Sequence, residues 1–297
     1  MAEIRRSGTW GSALSTDEFA AIRSTGFEPV GQVLGAAVYQ IGYSGYGCPA
    51  YGSGYAMARL GVYGGAPYNT VTVTSGSGSA NAYAPLVQTL YQARRSAIGR
   101  MTAECAELGG HGVVGVKLTM GGFPAGGLEF KAIGTAVRAP GGTRLREPFT
   151  SDLTGQDFGK LIHAGWVPVG LALGISIGVR HDDWVTINQT RWASGNVEVQ
   201  GYTELVSATR HDARLQLERD VARHGADGVV LQDMDVRIGE HECPMQEGRR
   251  DHFVEATLIG TAIARFGRRR RAETPPPLAI MSLDPQRRQA ARVRLGP

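Results

Sequence analysis

Cysteine is scarce in this chain. Cys48, Cys105 and Cys243 are far apart and odd in number, which excludes a disulfide framework and fits a reducing cytoplasm. No run of eighteen apolar residues occurs, so no helical membrane span is expected. The opening MAEIRRSGTW lacks the apolar stretch of a secretory signal. Catalytic signatures are missing as well: there is no Cys-x-x-Cys pair, no His-Glu-x-x-His, no Gly-x-Ser-x-Gly elbow and no Walker loop. The glycine-spaced Gly45, Gly47 and Ala50 superficially fit a dinucleotide loop. Pro49 and the glycines beyond leave no helix there to receive a phosphate.

Positive charge is concentrated at one end. From Gly267 onward eight arginines face only Glu273 and Asp284, a local +6, so the total of +4 leaves about −2 for the rest. A body of that sign has no general attraction to nucleic acid, and any polyanion contact belongs to Arg268, Arg269, Arg270 and Arg271 and the arginines after them.

What the chain does contain is a stretch that occurs twice, at Ala97–Val116 and again at Ala213–Leu231. In each, a helical pattern runs into a glycine (Gly109, Gly225) and then a Gly-Val-Val strand. Glycine suits a helix end because it adopts a left-handed conformation without a side-chain clash. The β-branched run after it suits a buried strand. Upstream, residues 12–35 align without gaps on 151–174, so that Phe19 meets Phe158, Pro29 meets Pro168 and Gly35 meets Gly174, an offset of 139. The offset falls to 116 at Gly112 and Gly228, and is 126 at Ile133 and Ile259. These offsets describe a tandem duplication, with 23 extra residues before the first main helix and 10 before the last strand.

Each copy reads as a short helix, a strand, a long helix and two closing strands, an α+β arrangement with a main helix packed on a small antiparallel sheet. The strands are expected over Val30–Tyr43 and Val167–Val179, and the long helices over Leu86–Leu108 and Tyr202–His224. A Gly-rich turn at Gly121–Gly127 joins the first pair of closing strands. The expected domains are 1–139 and 151–266, joined by a linker at 140–150 and followed by a basic, disordered, Pro-containing tail at 267–297.

The Pro-Val-Gly strand, the Ala-rich helix ending in Gly225, Ala226, Asp227, Gly228, Val229 and Val230, and the strand ending Gly-Thr-Ala resemble the YbjQ-like family, whose other name refers to heavy-metal binding. Gly110 and His111 depart from the pattern in the first copy, and the family's usual Gly-Gly-Arg stretch is missing from both. The resemblance implies small α+β domains assembled into homo-oligomeric rings, with no established activity and no metal motif that maps onto this chain.

Three constellations stand out. Seven of the ten tyrosines lie between Tyr39 and Tyr68 among glycines. Tyr43, Tyr46, Tyr51 and Tyr55 there offer an adaptable contact surface for a partner or another subunit; the alternative is a plain surface loop. His241, Cys243 and His252 offer nitrogen and sulfur donors for zinc or a softer ion, against the alternative of a polar hairpin tip. In the tail, Leu278, Ile280 and Leu283 form a short apolar segment on a Pro-rich tether. It is loosely similar to the C-terminal peptides that dock cargo inside encapsulin shells; nucleic acid, an anionic surface or plain solvent are the other readings of the tail. His181, Asp182, Asp183 and Trp184 read as a turn, and Cys105 as core.

The expectation is therefore a non-catalytic, homo-oligomeric assembly or scaffold protein. A metal-binding or metal-responsive module is the alternative, and an enzyme whose site forms between subunits is the third reading.

Overall fold

Local signals set the element boundaries. In the computed structural model, which describes residues 11–41, 72–76, 83–124, 126–142, 147–192, 195–243 and 248–266, α1 (Thr16–Ser24) begins at a reciprocal cap. The Ser15 hydroxyl accepts the Glu18 N–H while the Glu18 carboxylate accepts the Ser15 N–H. Its counterpart α3 (Gly155–His163) is capped by Thr154. Both helices end at glycines with φ of +85° (Gly26) and +80° (Gly165), where a side chain would be strained.

The first half continues with β1 (Glu28–Tyr39), β2 (Val73–Thr74), α2 (Ala84–Glu107), β3 (Gly112–Phe123) and β4 (Gly127–Arg138). The second opens with β5 (Phe149–Thr150) and α3, then β6 (Trp166–His181), α4 (Trp184–Arg191), α5 (Gln200–Arg223), β7 (Gly228–Glu242) and β8 (Arg250–Arg265). One sheet has the order β1-β4-β3-β5 and the other β2-β6-β8-β7. The α+β class is thus as expected. The sheets are antiparallel except at one place, where β5 joins β3 in parallel.

The two halves agree in order and in register. β1 and β6 each pair with the last strand of their half, with a bulge after Pro29 and Pro168 respectively. Gly112 faces Val137 and Gly228 faces Ile263, positions related by the same two offsets found in the sequence. Helix meets strand alike in both: a Cβ on Gly35 would stand 1.9 Å from the Ala97 carbonyl oxygen, and one on Gly174 would stand 2.2 Å from that of Ala213. Leu34 N–H donates to Glu104 (2.6 Å) and Leu173 N–H to Asp220 (3.0 Å). Those carboxylates occupy donors on two sheet edges.

Several boundaries differ from the sequence reading. Gly121 and Gly122 continue β3, and the turn narrows to the residues between Phe123 and Gly127. The last two residues of the expected linker, Phe149 and Thr150, are strand. His181 closes β6, and Asp183 caps the short helix α4 rather than lying in a simple turn.

The core lies around the long helices. Ala97, Met101 and Cys105 of α2 pack with Val33, Ala37, Phe130 and Ala136 of their own sheet, and the same cluster includes Leu171, Ile175 and Ile177 of β6. Burial raises the Cys105 thiol to about 11, consistent with the core role expected of it. On α5, Ala213, Leu217 and Val221 pack with Ala172, Ala256 and Leu258. A third cluster of Ile22, Val114, Val137, Phe149, Leu153 and Phe158 joins the halves.

Candidate functional site

Strand pairing creates the most chemically distinctive group. β6, β8 and β7 run side by side past the point where the first sheet has turned, and their far ends bring His181, Asp251 and His241 into one rung. Cys243 lies two residues beyond His241, and alternation along a strand puts residues two apart on one face. His181 Nδ1 lies 2.6 Å from Asp251 Oδ1, and His241 Nε2 lies 3.5 Å from Asp251 Oδ2. Ligand atoms of His181, Cys243 and Asp251 all fall within 4.8 Å of one another, and their residues are 4%, 5% and 0% exposed. A buried imidazole, thiol and carboxylate at such spacing form a donor set that suits zinc, with His241 beside them as a fourth donor.

The residues expected from sequence are thereby divided. His241 and Cys243 are at the cluster, whereas His252 is not. Because it follows Asp251 in β8, its side chain takes the opposite face. There His252 Nε2 lies 3.0 Å from Asp182 Oδ1 and 2.9 Å from the Tyr202 hydroxyl. Burial and the Asp182 carboxylate raise the Tyr202 hydroxyl well above its ordinary range. His181 and Asp251 were missed. The signal for them was register: once β7 and β8 form a hairpin, position 251 must face 241. Tyr43, Tyr46, Tyr51, Tyr55, Arg268, Arg269, Arg270, Arg271, Leu278, Ile280 and Leu283 lie outside the described residues.

A cavity of about 700 Å³ opens beside α2, lined by Gln88, Tyr91, Arg95, Gln216 and Arg223 among others. It is not strongly basic, because Arg95 and Arg223 both bond the Asp220 carboxylate, at 3.0 and 2.8 Å. Burial pushes the Tyr91 hydroxyl up to about 12, and that group accepts the Ile175 N–H at 2.7 Å. Its partners tie α2 to β6, so its role is structural.

Comparison with known proteins places these features in a family. The chain is 32% identical over 281 residues to the encapsulin nanocompartment protein Rv1762c of Mycobacterium tuberculosis, covering 92% of this chain and 91% of that protein. The chain belongs to that protein's family. A family model described as "Putative heavy-metal-binding" (YbjQ_1) matches residues 71–140, which contain β2, α2, β3 and β4 of the first half. No solved structure matches the chain. Among the described residues no helix is long and apolar enough to cross a membrane.

Proposed function

We propose that the chain is a non-catalytic, self-assembling component of an encapsulin-type nanocompartment in the cytoplasm, its body built from two copies of a YbjQ-like unit. The observation that carries this reading is the 32% identity, spread over 92% of the chain, to a protein named for such a compartment. Equal register in the two halves supports the two-copy body, because matched glycine contacts and matched carboxylate bonds recur at the sequence offsets. In this reading the apolar segment Leu278–Leu283 attaches the body to a shell through its Pro-rich tether.

Two measurements test it. Native mass spectrometry of the full chain at micromolar concentration is expected to show a multimer, and a monomer would end the self-assembly reading. Co-expression with an encapsulin shell protein is expected to sediment the full chain with the shell and to leave behind a chain ending at residue 266. Equal sedimentation of both would remove the role of the tail.

The second reading is a metal-binding module. His181, Cys243 and Asp251, with His241 adjacent, favour it over the set containing His252. Metal analysis of purified protein is expected to find one zinc per chain, lost on Cys243→Ser and retained on His252→Ala. Wild-type protein without bound metal, after purification in zinc-supplemented buffer, would end this reading.

A further inference from the structure

The two halves differ at their outer edges. Inside the chain, the segment that opens the second half lies along β3 of the first. Phe149 N–H donates to His111 O (3.1 Å), Ser151 N–H to Val113 O (2.9 Å), Val116 N–H to Ser151 O (2.9 Å) and Gly115 N–H to Leu153 O (3.1 Å). Phe149 stacks on Phe158 at 6.0 Å, and Phe27 stands edge-on to both. A Cβ on Gly112 would enter the Phe149 ring, at 2.3 Å, so the glycine is required by this neighbour. Val114 is fully buried in that cluster, while Val113, on the other face, is fully buried in the core around α2.

The equivalent edge of the second half, β7, ends its sheet, and no described strand pairs with its outer side. Gly228 stands where Gly112 does, yet a Cβ there would meet only Ile263, at 3.9 Å. Val229 and Val230 are half-buried, and Leu231 is 44% exposed. The segment that matches 150–153 is 11–14, and it is already fixed to its own half. Gly11 O accepts the Gln32 N–H at 2.8 Å, and Ser12 Oγ and Ala13 N reach Thr135 Oγ1 at 3.4 and 3.3 Å. The second half repeats this, with Ser151 Oγ and Asp152 N at 3.0 and 3.1 Å from Thr261 Oγ1.

Aromatic residues recur at the aligned positions of the sequence as well. Phe27, Phe158 and Phe149 correspond to Trp166, Phe19 and Trp10, the last outside the described residues. Phe158 is fully buried, whereas Phe19 and Trp166 are half-buried. An exposed strand edge beside half-covered aromatics is a surface that a further chain can complete.

We propose that copies of this chain join head to tail, segment 11–14 of one copy lying parallel to β7 of the next as 150–153 lies along β3 within a chain. This rests on the self-assembly and two-copy readings above, and it names the junction. In the junction Ser12 N–H donates to Val229 O of the second copy, and Leu14 seats where Leu153 does, beside Val230. The contact is heterologous, so it propagates from copy to copy and ends only where the rotation closes a ring. The sheet face beside the edge does not carry over in full. α5 presents Thr203, Ser207 and Arg214 where α2 presents Val87, Tyr91 and Ile98, so the strand edge and its aromatics hold the copies together.

Single cysteines test the geometry, in a Cys48→Ser background. Gly11→Cys and Val229→Cys correspond to Thr150 and Val113, which pair in the parallel ladder. Each variant alone is expected to give no cross-link under mild oxidation. A mixture of the two gives a covalent dimer, and the double variant gives a ladder of three or more chains. Leu14→Asp is expected to weaken assembly at least tenfold, read by native mass spectrometry, with the circular dichroism of the wild type. A multimer that neither cross-links in the mixture nor responds to Leu14→Asp overturns this junction and leaves self-assembly standing. A cross-link of Gly11→Cys with itself overturns it in favour of a two-fold contact. A monomeric wild type overturns both.

Discussion

Strands β3 and β7 are built from like sequence and end in unlike surroundings. Both start Gly-Val-Val, both pair with the last strand of their half in the same register, and both carry a bulge two to three residues later. Val113 and Val114 are nonetheless fully buried, while Val229 and Val230 are half-buried. At Val114 the difference comes from what lies beside each strand, β5 and its aromatics for β3 and no described strand for β7, and Val113 belongs to the larger core around α2 where Val229 only borders that of α5. The same holds for β1 and β6. Leu34 and Val38 are 46% and 49% exposed, whereas their counterparts Leu173 and Ile177 are 2% and 4% exposed because the first half packs over β6. Burial in this fold therefore reports the junction between units more than the strand itself. The apolar Leu34, Val38 and Leu231, left open on these strands, fit the proposed junction, in which a further copy lies beside them.

Substitutions that act within a half should affect both halves alike, and these carry the largest effect. Gly35→Val and Gly174→Val each drive a side chain into a backbone carbonyl of the facing helix, which cannot yield without moving the helix. Each is expected to cost about 3 kcal/mol or more, the upper range of overpacking, in urea unfolding monitored by circular dichroism. A large inequality between them would show that the halves are not equivalent in their helix–strand packing.

Substitutions at the junction should separate the halves. Phe158→Ala removes a fully buried ring from the internal cluster and is expected to cost about 3–5 kcal/mol. Phe19→Ala removes the aligned ring from a half-buried site and should cost about 1 kcal/mol in the dissociated chain. Its remaining effect should appear as the protein concentration rises into the assembled range, where the proposed junction brings another copy beside the ring. Unfolding measured across concentration distinguishes the two: Phe19→Ala changes the concentration dependence, and Phe158→Ala shifts the whole curve.

Much of this architecture was legible in the sequence because its signals are local or repeated. Ser15 with Glu18 three residues on marks a helix start, Gly109 and Gly225 mark helix ends, and the offsets 139, 116 and 126 reappear as strand registers. The second closing hairpin was less legible. The additional residues go into β7 and β8 as well as into the connection between them, so that His241 sits within a strand and Cys243 just beyond it. Which partners they meet depends on pairing across three strands, and nothing near position 241 in the sequence announces His181 sixty residues earlier. That His252 lies on the face away from Cys243 was hidden for the same reason, since neighbours in a strand point to opposite faces. Phe149 and Thr150 were read as linker because two residues carry no periodicity; only the edge they cover makes them a strand.

The smallest expected difference between the halves is one of pH. Asp183 caps α4 through the Thr186 N–H at 2.7 Å and pairs with Arg180 at 2.9 Å, and α4 has no counterpart among the described residues of the first half. Burial acts to raise the Asp183 carboxyl, but the Thr186 hydrogen bonds and the Arg180 guanidinium outweigh it and hold the group below its ordinary value of 3.8. A folded-state value below the unfolded one means that the stabilisation is complete above the unfolded value and is lost as pH falls through the folded one. Asp183→Ala should therefore cost about 1 kcal/mol at pH 7, the ordinary worth of such a cap. The difference from wild type should shrink as pH drops below about 4 and the wild-type carboxyl takes up its proton. Urea midpoints of the two proteins between pH 3 and 7 measure this. A gap that stays constant with pH would mean that the cap acts through shape alone, and a gap that widens toward acid would reverse the sign of the shift.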